Sequence, residues 1–194
     1  MKQGKLFILS GQSGVGKNTI LKSIISNHPD FHRAVTFTTR NPRLNEVPGE
    51  DHYFVYRKKF QDMIDNNELL EWAEVNGELY GTPKDQVTKI LSSGHNAIME
   101  IDVQGATNVK KLFPQTTLIF IKYEPGDLEQ IIRSRIKNDP SRSKVSEKEI
   151  LRRIQTAKSE AEYEKFYDFT VLNPEGKIDQ ATSEVEKIIQ EHIN

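Results

Sequence analysis

Hydrophobic positions along the chain follow two alternating rhythms. Short apolar runs of the buried-strand kind occur at Lys5 to Ser10 (KLFILS), Asn96 to Ile101 (NAIMEI), Thr116 to Lys122 (TTLIFIK) and Asp168 to Leu172 (DFTVL). Each is followed by apolar residues at helical spacing: Ile20, Leu21, Ile24 and Ile25 after the first, then VQGATNVKKL, Leu128 to Lys137 and Ile178 to His192. Strand alternating with helix predicts an α/β fold. The expected architecture is a parallel sheet covered on both faces, with ligands beyond the carboxyl ends of the strands, where Asp102 stands.

Between Arg33 and Gly81 the alternation breaks. Arg33 to Thr39 (RAVTFTT) and His52 to Tyr56 (HYFVY) read as strands rich in β-branched and aromatic residues, separated by a polar loop from Arg40 to Asp51. Phe60, Met63 and Ile64 mark a short helix. Leu69 to Val75 and Glu78 to Gly81, joined by Asn76-Gly77, predict a hairpin, because Asn and Gly tolerate the backbone of a tight turn. Thr82 before Pro83 reads as a helix N-cap. Several strands here leave no room for crossover helices, so the segment is expected to be an inserted substrate domain. Trp72 is expected in the core, and His28, His32, His95 and His192 lack metal-ligand spacing.

The link between the first strand and first helix carries chemistry of its own. In SGQSGVGKNT, Ser10 to Thr19, Gly11, four residues, Gly16 and Lys17 fit the start of GxxxxGK[ST], a loop whose backbone N–H groups and lysine surround nucleotide phosphates. A bare GxxxxGK arises by chance in about one chain in twenty of this length. The flanking strand and helix therefore carry the weight, and the helix adds its unpaired N–H groups and positive dipole end. Asn18 stands where a hydroxyl would hold Mg²⁺; its amide oxygen is a hard ligand or a water-mediated partner for that ion, and Thr19 keeps a hydroxyl one residue on.

A second concentration of charge runs from Arg133 to Arg153, where Arg133, Arg135, Lys137, Arg142, Lys144, Lys148, Arg152 and Arg153 outnumber Asp139, Glu147 and Glu149. Alone it would read as a solvated helical hairpin. Beside a phosphate loop it is a source of cations that close over a nucleotide. Its middle, NDPSRSKVSEKE, reads as a mobile loop in which Ser146 and Glu149 form a capping box.

Composition narrows the classes. At 194 residues the chain suffices for one well-cored domain, and a formal net charge of -1 gives no global basic field, so binding to nucleic acid or membranes is not expected. The lack of cysteine excludes disulfides, thiolate zinc sites and a cysteine nucleophile. LFIL is too short for a signal peptide or a membrane span, and a cytoplasmic location is expected.

Together with the phosphate loop, the stretches TTRNPRLNEVPGEDHYF, NNELLEWAEVNGELYGT, MEIDVQG and RRIQTAKSEAEYEKFYDFTVLN make the chain resemble a guanylate kinase over nearly its whole length. The resemblance implies a P-loop three-layer fold with a parallel core sheet (residues 1–33, 92–124 and 156–194), an inserted mixed-β GMP-binding domain (34–91) and a helical lid (125–155). It implies transfer of the γ-phosphoryl group of ATP to GMP, with Mg²⁺. ATP would bind through Gly11, Gln12, Ser13, Gly14, Val15, Gly16, Lys17, Asn18 and Thr19, with Arg135 and, near the adenine, Asn173. Lys17, Arg43, Arg135 and Arg153 would neutralise the transferred group.

For the acceptor, guanine presents two adjacent donors beside an acceptor, which calls for a carboxylate next to a hydroxyl. The resemblance has Glu71 accepting from N1 and N2, Thr82 donating to O6, and Asp102 and Thr36 lining the base pocket. Adenine inverts that pattern, and a site left unpaired in this way can discriminate by about 10⁴. Arg40 and Arg43 would clamp the GMP phosphate with their planar forks, helped by Tyr80. His52 falls where the family has a tyrosine; its charged form would bind phosphate more tightly, so GMP affinity is expected to vary with pH. No catalytic base is needed, since the attacking phosphate oxygen is already charged. Ile131, Ile136 and Pro174 also depart from the family pattern. Two other readings remain: a catalytically inactive guanylate-kinase-like module that holds a protein partner, favoured by Asn18 and the altered lid, and a P-loop kinase acting on another phosphorylated small molecule.

Overall fold

The structure is a computed structural model and describes residues 3–44, 46–75, 77–126, 128–138 and 145–193. The first third comprises β1 (Leu6–Gly11), α1 (Lys17–Asn27), β2 (Phe31–Arg33), β3 (Phe37–Thr38), β4 (Tyr53–Phe54) and α2 (Arg57–Asp65). The hairpin strands β5 (Leu69–Val75) and β6 (Glu78–Pro83) lead into α3 (Lys84–Ser92), β7 (Asn96–Glu100) and α4 (Val103–Leu112). There follow β8 (Thr117–Tyr123), α5 (Leu128–Lys137), α6 (Glu147–Ala161), β9 (Phe169–Asn173) and α7 (Ile178–His192).

The expected parallel sheet is present, in the order β2-β7-β1-β8-β9. Its central strand explains the layering. Every residue of β1 is buried, and alternation sends Phe7 and Leu9 into a cluster with α1, α5, α6 and α7, while Leu6 and Ile8 join one with α3 and α4. Burying each such side chain contributes about 1.5–3 kcal/mol. The carboxyl ends of β1 and β7 thus open side by side, with the phosphate loop leaving one and Asp102 just past the other.

A second, mixed sheet has the order β4-β3-β6-β5 and packs α2 through Phe60 and Met63 against Leu69 and Leu79. Three local expectations change here. The run from Arg33 to Thr39 is not one strand: β2 ends at Arg33 in the first sheet, Ala34 is buried in the core with its N–H on Ile98 O, and β3 begins at Phe37 in the second sheet. Thr82 is not a helix cap but part of β6, because a residue before proline is held extended and its hydroxyl is committed to Glu71. Trp72 is 46% exposed, since Glu71 beside it points inward and successive strand residues face opposite ways. Of the expected capping box only the serine half forms: the Ser146 hydroxyl accepts from the Glu149 N–H, while the Glu149 carboxylate is held by Arg152 and Arg153. Asn76 of the hairpin turn, and Arg142 with the centre of the expected mobile loop, lie outside the described residues.

Gly11 takes φ 124 as the chain leaves β1, and a Cβ there would lie 2.0 Å from Ile121 O. Gly11→Ala should therefore cost roughly 3 kcal/mol or more, read as a lower urea midpoint. An unchanged midpoint would mean that β1 and β8 part easily to admit the methyl group.

Candidate active site

The phosphate loop is shaped by anchors on both sides. Gln12 donates its N–H to Ile121 O (3.0 Å), accepts from the Tyr123 N–H through Oε1 (2.8 Å) and donates from Nε2 to Ala157 O (3.1 Å). Gly16, with φ 104, is the N-cap of α1 and sits so close to Asn173 that a Cβ would be 2.9 Å from Nδ2. Inside the loop, Lys17 Nζ donates to Gly11 O (2.8 Å) and Gln12 O (3.1 Å).

Arg135 and Asn173 brace the outside of this loop. Arg135 donates to Val15 O (2.8 Å) and Asn173 O (3.0 Å) and lies 4.9 Å over the Tyr123 ring; the buried Asn173 amide donates to Val15 O at 2.6 Å. Neither lines the cleft. The cleft itself, of about 610 Å³, is bordered by Ser13 to Thr19 on the loop side and by Thr36, Arg40, Arg43, His52, Glu71, Tyr80, Asp102 and Arg153 opposite. Five separate stretches of sequence-predicted residues therefore meet.

At one end Glu71, 6% exposed, accepts from the Thr82 hydroxyl at 2.7 Å. Its other oxygen fills the space over Gly105, where a Cβ would be 2.5 Å away. Burial, reinforced by the charge of Asp102 and opposed by the Thr82 hydrogen bonds, pushes the Glu71 carboxyl up to about 8. Asp102 stays in place by capping α4, accepting from the N–H groups of Gln104 (2.8 Å) and Gly105 (3.2 Å).

The other end is cationic. Arg40 is gripped by Glu46 through two bonds of 2.6 Å and donates from Nε to the Tyr80 hydroxyl at 3.1 Å. His52 Nδ1 lies 2.7 Å from the Thr36 hydroxyl. Burial, then the charges of Arg40 and Arg33, push the His52 imidazole down to about 4, so the ring is neutral near pH 7. In the free site His52 is therefore a neutral hydrogen-bonding ring near neutrality, not the charged form the sequence suggested for phosphate; the group poised to titrate there is Glu71.

Several contacts at the site carry no signal in the sequence. Glu160 Oε2 accepts from the Ser13 N–H at 2.5 Å, and burial raises its pKa against the opposing charge of Lys17. Glu149 holds Arg153 Nε (3.0 Å) and Arg152. Asn18 Oδ1 is 3.5 Å from Arg33, which also donates to Asp51 O (3.0 Å); the buried Asp51 pairs with Lys22 at 2.7 Å. Glu149 and Glu160 sit in an amphipathic helix, where periodicity does not distinguish a site carboxylate from a solvated one. Glu46 had a usable signal, being wedged among the arginines of a polar loop. Among the described residues, no group of three or more His, Asp or Glu is arranged to hold a metal ion.

Comparison with known proteins gives a consistent result. The family model described as Guanylate kinase matches residues 3–192. The guanylate kinase of Caldanaerobacter subterraneus subsp. tengcongensis is 40% identical over 188 residues, covering 97% of this chain and 87% of that protein. That of Bacillus cereus is 43% identical over 174 residues, covering 89% and 82%. The crystal structure of guanylate kinase from Anaplasma phagocytophilum superposes with a TM-score of 0.77 at 26% identity, over 100% of this chain and 88% of that one. The SH3-kinase fragment of tight junction protein 3 in its apo-form, with a TM-score of 0.51 at 12% identity over 100% of this chain and 58% of that one, shares the fold alone.

The raised pKa of Glu71 has a consequence for stability. A carboxyl that moves from 4.5 to about 8 on folding favours the native state below its unfolded pKa, and that contribution is lost as pH rises through about 8. Glu71→Gln, which cannot ionise, should melt higher than the wild type at about pH 9 and close to it at about pH 5. Parallel melting curves for the two proteins across that range would show that Glu71 is not buried as described.

Proposed function

Because the chain belongs to the guanylate kinase family, we propose that its cleft transfers the γ-phosphoryl group of ATP to GMP, giving ADP and GDP. The observation that carries this reading is the joining, in one cleft, of a buried carboxylate suited to guanine and a lysine-bearing phosphate loop. ATP binds with its phosphates on backbone N–H groups between Ser13 and Asn18, and Lys17 exchanges the carbonyls of Gly11 and Gln12 for phosphate oxygens. Arg135 and Asn173 keep the loop in shape from its outer side.

GMP binds with N1–H and N2–H on Glu71, its base between Thr36 and Asp102, and its phosphate near Arg40, Arg43, His52 and Tyr80; the buried Thr82 hydroxyl, expected to donate to O6, is committed instead to holding Glu71. A phosphate oxygen of GMP attacks the γ-phosphorus in line, the bond to the β-γ bridging oxygen breaks, and that oxygen leaves on ADP. Arg43 and Arg153 neutralise the charge on the transferred group, with Arg153 released from Glu149 as residues 125–155 swing towards the acceptor segment 34–91. Such closure excludes the water that would otherwise hydrolyse ATP.

The donor set fits Mg²⁺ that keeps water and phosphate ligands: Asn18 and Glu100 offer hard oxygens at the cleft wall beside the phosphate loop. Bound with ATP, Mg²⁺ would supply positive charge to the phosphates. To reach it Asn18 relinquishes its 3.5 Å contact with Arg33. No described helix is long and apolar enough to cross a membrane; the nucleotide substrates support a cytoplasmic location.

Two experiments test the reading. ADP formation from ATP and Mg²⁺ should occur with GMP and not with AMP, UMP or CMP, and Lys17→Ala should lower it by about 10²-fold or more. Turnover with another monophosphate, or none with GMP, would overturn it. Second, accepting two N–H groups requires ionised Glu71, whose carboxyl titrates at about 8 in the free site. GMP binding near pH 7 should therefore release a proton, and affinity should rise with pH by up to about tenfold per unit until about pH 8. Calorimetry in buffers of different ionisation enthalpy reads this directly; equal heats would place the proton elsewhere.

A further inference from the structure

The arginines at the acceptor-phosphate end are not equivalent. A guanidinium has five N–H donors. Four of those on Arg40 are already engaged: Nε with the Tyr80 hydroxyl (3.1 Å), Nη1 with Asn41 O (2.9 Å) and Glu46 Oε2 (2.6 Å), and Nη2 with Glu46 Oε1 (2.6 Å). The fork is also stacked 5.6 Å from the Phe54 ring centroid. Arg43, by contrast, has a side chain 54% exposed whose contact with Glu46 is an ionic one at 3.7 Å.

We propose that Glu46 is a positioning residue for the acceptor phosphate: it immobilises Arg40 as the support that aims Tyr80, and leaves Arg43 as the arginine that clamps the phosphate. The inference rests on the GMP reading above and deepens it. Arg40 so held offers a phosphate one N–H, not a bidentate grip. The Tyr80 oxygen accepts from Arg40 Nε, so its own proton is turned away from Arg40 and into the cleft, where a phosphate oxygen can accept it.

Glu46 is built to stay when phosphate arrives. Oε2 also accepts from the Arg43 N–H (2.8 Å), and the Glu46 N–H returns a bond to Arg43 O (3.1 Å), closing a turn around the carboxylate. The following turn is tied down by Asp51, which accepts from the Val47 N–H (3.0 Å) and pairs with Lys22 of α1. Burial alone would raise the Glu46 carboxyl, but the hydrogen bonds from Arg40 and Arg43 and the two guanidinium charges outweigh it and hold it below the usual carboxylate range. Expelling it would break three charge-assisted bonds and leave two anions face to face.

The test measures binding of GMP and of guanosine, which lacks the phosphate, to the wild type, Glu46→Gln, Glu46→Asp, Tyr80→Phe and the Glu46→Gln/Tyr80→Phe double variant. Glu46→Gln should weaken GMP by about 10–30-fold, the scale of a lost charge-assisted contact, and leave guanosine within about twofold. Glu46→Asp should recover part of the GMP affinity, and the double variant should be little worse than Glu46→Gln because both changes remove the same Tyr80 contact. Tighter GMP binding in Glu46→Gln would identify Glu46 as a competitor for the arginines and overturn the proposal. Equal losses for GMP and guanosine would reduce Glu46 to a structural role and overturn it likewise. A wild type that binds GMP no better than guanosine would overturn the acceptor reading, and this inference with it.

Discussion

One close approach governs the site: the Glu71 carboxylate of the second sheet against the backbone of α4, which follows a strand of the first. Gly105 has no Cβ to obstruct it, and Asp102, fixed as the cap of α4, lies near enough to raise its pKa. The two sheets are thus joined at a point where a charged group is deprived of water and set beside another acid. In isolation that is unfavourable, and the protein meets it by protonation and by the Thr82 hydroxyl. A ligand edge with two N–H groups removes the penalty more completely. On the proposed reading, base selection and sheet-to-sheet packing share the same atoms.

The rest of the cleft follows a complementary rule. Lys17 rests on the carbonyls of its own loop, Arg153 on Glu149, and the Ser13 N–H on Glu160. Groups that would face phosphates are held by oxygens of the protein in the meantime. This preserves their orientation without leaving buried charge unpaired, and makes nucleotide binding an exchange of oxygens. The arrangement distinguishes cations that release easily, such as half-exposed Arg43, from those enclosed by several partners, such as Arg40.

Much of this organisation was legible in the chain. The buried runs of the parallel sheet, the glycine-rich loop and the TTRxPR and EWA…YGT segments located the cleft residues, because each depends on local pattern or on a motif with a fixed chemical purpose. What escaped depended on distant partners. The Arg33 to Thr39 run is continuous in β propensity, yet burial of Ala34 divides it between two sheets. Thr82 has the sequence of a cap, yet a carboxylate across the hairpin claims its hydroxyl. His52 has an ordinary titration range in the sequence, yet burial beside Arg40 and Arg33 takes it out of that range. Glu160 is an unremarkable helical acid until the helix lies against the phosphate loop.

The outward face of β5 has a practical corollary. The chain contains a single tryptophan, and Trp72 stands beside Glu71 in the strand, half exposed on the opposite side from the cleft. Its indole is thus a built-in optical gauge: indole emission from the unlabelled protein originates in the strand that carries Glu71, with no second indole to dilute it. Adjustments of β5 as nucleotide enters can be followed in real time by stopped-flow fluorescence, without a dye or an engineered probe.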